Sequence, residues 1–147
     1  MNRQASAVWK GGLKDGQGTL SSPSKVLANT PYSFQTRFED KPGTNPEELI
    51  AAAHAGCYSM ALSGKLGEAG MTAESIHTVA TVTLDRTEAG PTVTKIHLEV
   101  TASIPNADPA AFERLAKDAK ENCPISRLLK AAATITLEAR LEATARN

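Results

Sequence analysis

The chain has 147 residues and a mass of 15.5 kDa, which suits one domain over residues 1–147. Hydrophobic residues make up 41%, as in globular proteins, and 16 basic residues balance 16 acidic ones, which argues against a nucleic-acid-binding protein. The longest apolar stretch, residues 49–63, is too short to span a bilayer. No basic segment followed by an apolar core opens the chain, so we expect neither a secretory signal nor a membrane partner.

The first forty residues predict short strands. Segments 6–10 and 18–21 flank a glycine-rich stretch and predict a hairpin. Over residues 32–39, aromatic and polar residues alternate, which predicts a half-buried strand with Arg37 on the face opposite the aromatic rings. Taken alone, an arginine of this kind is most often a solvated surface residue.

Residues 44–70 predict one long helix. Asn45 suits the N-cap, Pro46 suits the first helical position, and Glu48 stands where a capping box places its carboxylate. Gly70 is the expected terminal glycine. Most of the helix carries no charge and is rich in alanine and glycine, so we expect a central helix that is buried nearly all round and lets another backbone approach closely.

The remaining segments complete an α+β pattern. Residues 77–85 and 93–104 predict an antiparallel hairpin, Pro109 begins a second helix, residues 125–130 form a short third helix, and residues 133–143 form a last strand. The buried stripe of the second helix is predicted from helical spacing: Phe112, Leu115, Ala116 and Ala119.

The two cysteines, Cys57 and Cys123, are too few for the disulfide framework of a secreted domain. They are 66 residues apart, so any pairing between them has to come from the fold. Buried small hydrophobes and a reactive pair are both open interpretations. Cys57 lies in mid-helix among apolar residues and needs an activating cation, whereas Cys123 precedes Pro124 near a helix start, where the helix dipole favours a thiolate.

Three side chains are candidates to act on Cys57. His54 lies three residues earlier on the same helical face, although a core histidine bonded to a backbone carbonyl is the commoner outcome. Arg37 keeps its charge in a dry site. Glu47 has two interpretations. It is a favourable negative charge in the first helical turn, or it is free for another role because Glu48 is the expected capping-box partner.

The sequence gives little support for a metal-binding or a phosphate-binding site. His54 and Cys57 form one His-x-x-Cys pair, but His77 and His97 lie in predicted strands and no second close pair exists in the sequence. The glycine-rich residues 10–16 lack the pattern of a phosphate-binding loop. We therefore expect neither a metal nor an organic cofactor.

Two motifs resemble those of the OsmC/Ohr family of thiol peroxidases, named for osmotically inducible protein C and organic hydroperoxide resistance. Residues 45–62 resemble the signature around the first cysteine, and residues 122–126, Asn-Cys-Pro-Ile-Ser, resemble that around the second. Residues 32–39 look more like the OsmC branch than the Ohr branch. The similarity covers about residues 9–141, and each motif holds one of the two cysteines.

The resemblance implies an α+β fold in which antiparallel sheets wrap around central helices in an intertwined homodimer. It also implies that Cys57 is the peroxidatic thiol, Cys123 the resolving thiol, and Arg37 with Glu47 the activating pair. The Ohr branch takes its arginine from an earlier loop, and residues 13–16 of that stretch contain none here.

The implied activity is reduction of organic hydroperoxides, and more weakly of hydrogen peroxide, in oxidative and osmotic stress defence. Cys57 becomes a sulfenic acid, Cys123 resolves it as a disulfide, and an external thiol or dithiol resets the pair in the cytoplasm. The alternative hypothesis is a small-ligand binding module with structural cysteines. A hydrolase built on Cys57 and His54 ranks last, because the sequence shows no oxyanion device and no third orienting group.

Helix geometry adds a prediction about the activating pair. Ten residues of one helix separate Glu47 from Cys57, which corresponds to a rise of about 15 Å and a rotation about 80° short of whole turns. We therefore predict that the Glu47 serving Cys57 comes from the partner chain, or that an extended Arg37 bridges the distance.

Overall fold

A computed structural model describes residues 1–142 of the chain. Its internal contacts divide the chain into two compact units, Met1–Leu49 and Ile50–Asn147. The single domain expected over residues 1–147 stays a prediction. None of the helices among the described residues has the length and apolar character needed to cross a membrane.

The first unit contains a small antiparallel sheet and a short helix. The sheet has the order β1, β2, β3, with β1 (Ser6–Lys10), β2 (Gln17–Ser21) and β3 (Thr30–Tyr32). The predicted β1–β2 hairpin is confirmed by its register, which pairs Ser6 with Ser21 and Lys10 with Gln17. Gly18 of β2 passes beneath the rings of Trp9 and Tyr32, whose centroids are 5.4 Å apart.

The strand predicted over residues 32–39 is wrong, because most of this segment forms helix α1 (Phe34–Phe38). A capping box starts the helix: the Thr36 backbone N–H donates to Ser33 Oγ at 3.2 Å, and the Ser33 backbone N–H donates to Thr36 Oγ1 at 2.9 Å. Arg37 therefore lies in the last turn of a helix and not on the face of a strand.

Helix α2 (Pro46–Glu68) begins and ends as predicted. The Glu48 backbone N–H donates to Asn45 Oδ1 at 2.9 Å, as expected of an N-cap. The Glu48 carboxylate, however, accepts from Thr44 Oγ1 at 2.8 Å and does not return to the cap residue. Gly70, with φ +75°, follows the helix in the left-handed region where glycine is favoured.

The second unit pairs a three-stranded sheet with two further helices. Its elements are β4 (Ser75–Thr87), β5 (Gly90–Ser103), α3 (Pro109–Asn122), α4 (Pro124–Leu129) and β6 (Thr134–Leu141). The β4–β5 hairpin is antiparallel as predicted, but β6 pairs with β5 in parallel, which corrects the expectation of antiparallel sheets. Helices α3 and α4 carry the chain back before β6 begins, and a parallel pair needs such a crossover. Residue 143 of the predicted last strand lies outside the described residues.

The core of the second unit lies between α2, β5 and α3. Its fully buried side chains include Tyr58, Leu62, Leu66, Leu98, Val100, Phe112, Ala116 and Ala119. Of the stripe predicted for α3, Leu115 is only half-buried. The expectation that α2 is buried all round is wrong for the single chain, in which one face is exposed: Ala52, Ala53, Gly56, Met60, Gly64 and Gly67. The elements packed on α2 within one chain cover only its opposite face.

Substitution of Gly18 by alanine tests the packing of the first unit. An added Cβ would lie 2.7 Å from Trp9 Cε3 and 2.7 Å from Tyr32 Cζ, so both rings have to move. We expect Gly18→Ala to lower the free energy of unfolding by about 1–3 kcal/mol, measured by urea denaturation. Thr19→Ala, on the opposite side of the same strand, is the control, and an equal loss in both variants would contradict the close packing.

Candidate active site

The two cysteines meet inside the second unit. Cys57 Sγ, in the middle of α2, lies 3.1 Å from Cys123 Sγ, and both residues are free thiols. A disulfide has an S–S length of about 2.05 Å, so the sulfur atoms need to approach by only about 1 Å to form the bond. Cys57 is half-buried, whereas Cys123 has no exposed surface. The fold therefore supplies the pairing that the sequence spacing leaves open.

Backbone hydrogen bonds hold Cys123 at the corner between α3 and α4. Its N–H donates to Ala119 O at 2.8 Å and ends α3, and its carbonyl accepts from the Arg127 N–H at 2.9 Å at the start of α4. Pro124 occupies the first position of α4, where its missing N–H costs nothing. The prediction that Cys123 lies at the N-cap of a short helix is confirmed.

The surroundings of Cys57 work against a thiolate. Burial is the main factor that raises the pKa of the Cys57 thiol, and the hydrogen bond with Cys123 raises it further. The backbone N–H of Ile125 partly offsets this by lowering the pKa. Among the described residues of the second unit, none of the groups that shift this pKa is a cation. A reactive Cys57 therefore needs a positive charge from elsewhere.

His54 has a different partner from the one expected. Its Nε2 lies 2.7 Å from Ser126 Oγ of α4, not against a backbone carbonyl, and both side chains are buried. No hydrogen-bond partner among residues 1–142 reaches His54 Nδ1. Burial lowers the pKa of His54, which favours the neutral imidazole. The sequence predicts no role for Ser126. Its place in the second cysteine motif is the one feature of the sequence that could have drawn attention to it.

Arg37 and Glu47 form a close ion pair within the first unit. Arg37 Nε lies 3.2 Å from each carboxylate oxygen of Glu47, and Arg37 Nη2 lies 2.7 Å from Oε1. The guanidinium also lies 5.1 Å from the centre of the Phe38 ring. The Glu47 side chain is 12% exposed and that of Arg37 is 37% exposed, so the carboxylate is covered while part of the guanidinium stays open. This two-point contact fixes the direction of the guanidinium.

The four predicted site residues thus form two pairs. Arg37 contacts Glu47 in the first unit, and Cys57 contacts Cys123 in the second. Glu47 binds the arginine, as the prediction of another role for it allows, but the stated reason is wrong, because the Glu48 carboxylate accepts from Thr44 Oγ1 and does not serve the cap. One pair is an ion pair that orients a guanidinium, and the other is two thiols in contact.

One further cluster contains possible metal ligands. Side-chain atoms of His97, Glu99 and Glu138 lie within 4.8 Å of one another on neighbouring strands β5 and β6. Glu138 already pairs with Arg140, and His97 Nδ1 lies 2.6 Å from Thr136 Oγ1. Because these contacts account for the cluster, we assign no metal to it.

The lowered pKa of His54 makes the stability of the fold depend on pH. As the pH falls, the unfolded chain takes up a proton at the ordinary histidine pKa of about 6.5, before the folded chain does. The contribution of His54 is therefore complete above that pH and is lost as the pH falls through the lowered value.

We expect the stability advantage of the wild type over His54→Gln to shrink between about pH 8 and about pH 5, because glutamine does not titrate. Urea denaturation of both proteins at three pH values in this range measures the difference. An advantage that stays constant or grows would contradict burial of a neutral His54.

Comparison with known proteins agrees with the motifs. Residues 38–138 match the family model described as OsmC-like protein, a range that includes Glu47 and both cysteines and begins just after Arg37. Proteins named peroxiredoxin OsmC from Escherichia coli (strain K12) and Shigella flexneri are each 50% identical to this chain over 135 residues, which cover 92% of this chain and 94% of theirs.

Solved structures share the fold. The organic hydroperoxide resistance protein OhrB of Bacillus subtilis matches with a TM-score of 0.68 and 24% identity, covering 93% of this chain and 98% of that one. An OsmC-like protein from Mycoplasma pneumoniae matches with a TM-score of 0.76 and 14% identity, covering 97% and 99%. The predicted α+β fold of OsmC/Ohr proteins is confirmed, and the chain belongs to the OsmC family.

Proposed function

We propose that this chain is a thiol-dependent peroxidase that reduces organic hydroperoxides, and more weakly hydrogen peroxide, through Cys57 and Cys123. The observation that carries the proposal is the pair of free thiols 3.1 Å apart, with the residue Cys57 half-buried and the residue Cys123 fully buried. The relatives named peroxiredoxin OsmC support a peroxidase, and the name of the Bacillus subtilis protein refers to organic hydroperoxides.

The chemistry proceeds in three balanced steps. The Cys57 thiolate attacks one peroxide oxygen, the O–O bond breaks, and the departing alkoxide takes up a proton to become an alcohol. The resulting Cys57 sulfenic acid is attacked by the Cys123 sulfur, and hydroxide leaves as water with the proton of the Cys123 thiol. An external dithiol then reduces the disulfide by two electrons and returns two protons to the cysteines.

The exposure of the two cysteine residues supports the order of these steps. A hydroperoxide can approach Cys57, which is half-buried, whereas Cys123 has no exposed surface in the chain. The same difference directs the reductant to the Cys57 sulfur of the disulfide, with Cys123 as the leaving thiolate. The start of α4 suits that role, because a helix N-terminus stabilises negative charge.

Arg37 supplies the missing cation in this proposal. Its guanidinium stabilises the Cys57 thiolate and donates toward the peroxide oxygens, while Glu47 holds it in place. Glu47 and Cys57 lie ten residues apart in helix α2, which separates them by about 15 Å along the axis. We therefore propose that Glu47, with the Arg37 it binds, serves the Cys57 of the partner chain.

The proposed assembly is an intertwined homodimer of single OsmC-like domains, each spanning residues 1–147, with the α2 helices back to back. The exposed face of α2 supports it, because a Cβ added at Gly56, Gly64 or Gly67 would meet no atom of residues 1–142 within 4 Å outside the nearby backbone of its own helix. A second backbone can approach this face closely. We also propose a cytoplasmic location, since a dithiol that must be reset needs a reducing compartment.

Cysteine variants test the function directly. We expect dithiol-reduced wild type to consume an organic hydroperoxide over many turnovers, Cys57→Ser to be inactive, and Cys123→Ser to stop after about one equivalent. Peroxide consumption in the presence of excess dithiol is the measurement. If all three proteins behave alike, the cysteines are structural and the small-ligand binding hypothesis replaces the peroxidase.

A mixed dimer tests whether Glu47 acts across the interface. One chain carries Cys57→Ser and the other carries Glu47→Ala, each with a different affinity tag for purification. If Glu47 serves the partner chain, both defects fall in one site and the dimer keeps about half of the wild-type rate, because the other site is intact. If Glu47 instead serves the Cys57 of its own chain, each of the two sites carries one defect and both lose activity. Homodimers of each variant are the controls.

A further inference from the structure

Two side-chain contacts connect helices α2 and α4 with the same spacing. Cys57 contacts Cys123 at 3.1 Å, and His54 contacts Ser126 at 2.7 Å. The two residues on α2 are three positions apart, and so are the two at the start of α4. The second contact therefore lies about one helical turn from the first and joins the same two segments.

Ser126 is the only buried residue of α4. The helix has six residues: Leu128 is 70% exposed, whereas Ile125 and Leu129 are half-buried and Ile125 packs against the core of the second unit. A cavity of about 380 Å³, lined in part by Ser126, Lys130 and Thr134, leaves room beside it. The polar contact with His54 therefore acts together with the packing of Ile125 in restraining where α4 lies.

The hydrogen bond between His54 and Ser126 stabilises the fold less than an apolar contact at the same place would. His54 Nδ1 is buried without a partner among the described residues, and an unpaired buried polar atom costs free energy. Two apolar side chains of matching volume would stabilise the packing without that cost. What the hydrogen bond adds is direction, since it fixes one register of α4 against α2.

We propose that the hydrogen bond between His54 and Ser126 positions Cys123 for attack on the Cys57 sulfenic acid, an inference that rests on the proposed peroxidase function. Both residues are positioning residues, because they act through Cys123 and do not touch the peroxide. Attack requires the sulfur atoms to stay in near-bonding geometry, and loss of the restraint lowers the fraction of time they spend there. In the first step Cys57 attacks the peroxide and Cys123 forms no bond, so the loss of positioning is measured in the second step.

Single-turnover kinetics separate the two steps. We expect Ser126→Ala and His54→Leu still to consume the first equivalent of cumene hydroperoxide but to form the disulfide about tenfold more slowly than wild type, the effect of losing one buried hydrogen bond. The sulfenic acid then persists, so dimedone trapping and sulfinic acid formation, both read by mass spectrometry, should increase.

Rescue and matched controls distinguish positioning from general destabilisation. His54→Gln should restore the disulfide rate, because its terminal amide both donates and accepts a hydrogen bond. The double variant His54→Leu with Ser126→Ala should be no slower than either single variant, since both remove one interaction. Thr78→Val is the control: it removes the bond between Ser59 Oγ and Thr78 Oγ1 at 2.8 Å, which ties α2 to β4, and should leave the disulfide rate unchanged.

The activity of the wild type and the disulfide rates of the variants show whether the peroxidase function or the positioning role is wrong. If wild type consumes no hydroperoxide, the peroxidase function is wrong. If wild type is active but Ser126→Ala forms the disulfide at the wild-type rate, the positioning role is wrong. The positioning role is equally excluded if Thr78→Val slows disulfide formation as much as Ser126→Ala does, or if His54→Gln forms the disulfide as slowly as His54→Leu does.

Discussion

The site depends on the packing of one face of helix α2 against helices α3 and α4. Tyr58 on this face is fully buried and donates its hydroxyl to the Ala116 carbonyl of α3 at 3.1 Å, and His54 contacts α4. Cys57 lies between them along the helix, so the packing that fills the core also brings Cys57 against Cys123. Core packing therefore brings two cysteines that are distant in the sequence into contact. In a Cys-x-x-Cys motif, closeness in the sequence has the same effect.

This burial brings the two thiols close together but disfavours the thiolate form of Cys57. Loss of water raises the pKa of Cys57, and the neighbouring thiol raises it further. In the proposed function, Arg37 offsets the raised pKa of Cys57, since a guanidinium stays charged in a buried site where a lysine loses its proton. The pairing of Arg37 with Glu47 restrains a long side chain that would otherwise sample many rotamers. The thiols and the guanidinium then belong to separate units of the chain.

Most elements of the fold are predictable because their signals act over a few residues. Caps, turns and periodicity identify helix α2, hairpin β4–β5 and helix α3 close to their observed bounds. Residues 32–39 mislead because Phe34 and Phe38 fit an alternating strand and also an i, i+4 helical pair, with ring centroids 4.8 Å apart. The capping box at the start of α1 decides for the helix. The parallel direction of β6 has no local signal, because it depends on where α3 and α4 return the chain.

The sequence by itself determined the available chemistry: one cysteine in a charge-poor helix, one before a proline, and an arginine and a glutamate upstream, in motifs that resemble one family. Only the tertiary structure decided that the thiols lie 3.1 Å apart, that His54 binds Ser126, and that α2 keeps an open face. Local backbone interactions decide where helices begin and end. Contacts between residues 66 and 72 positions apart depend on how whole elements pack, and no short segment encodes that.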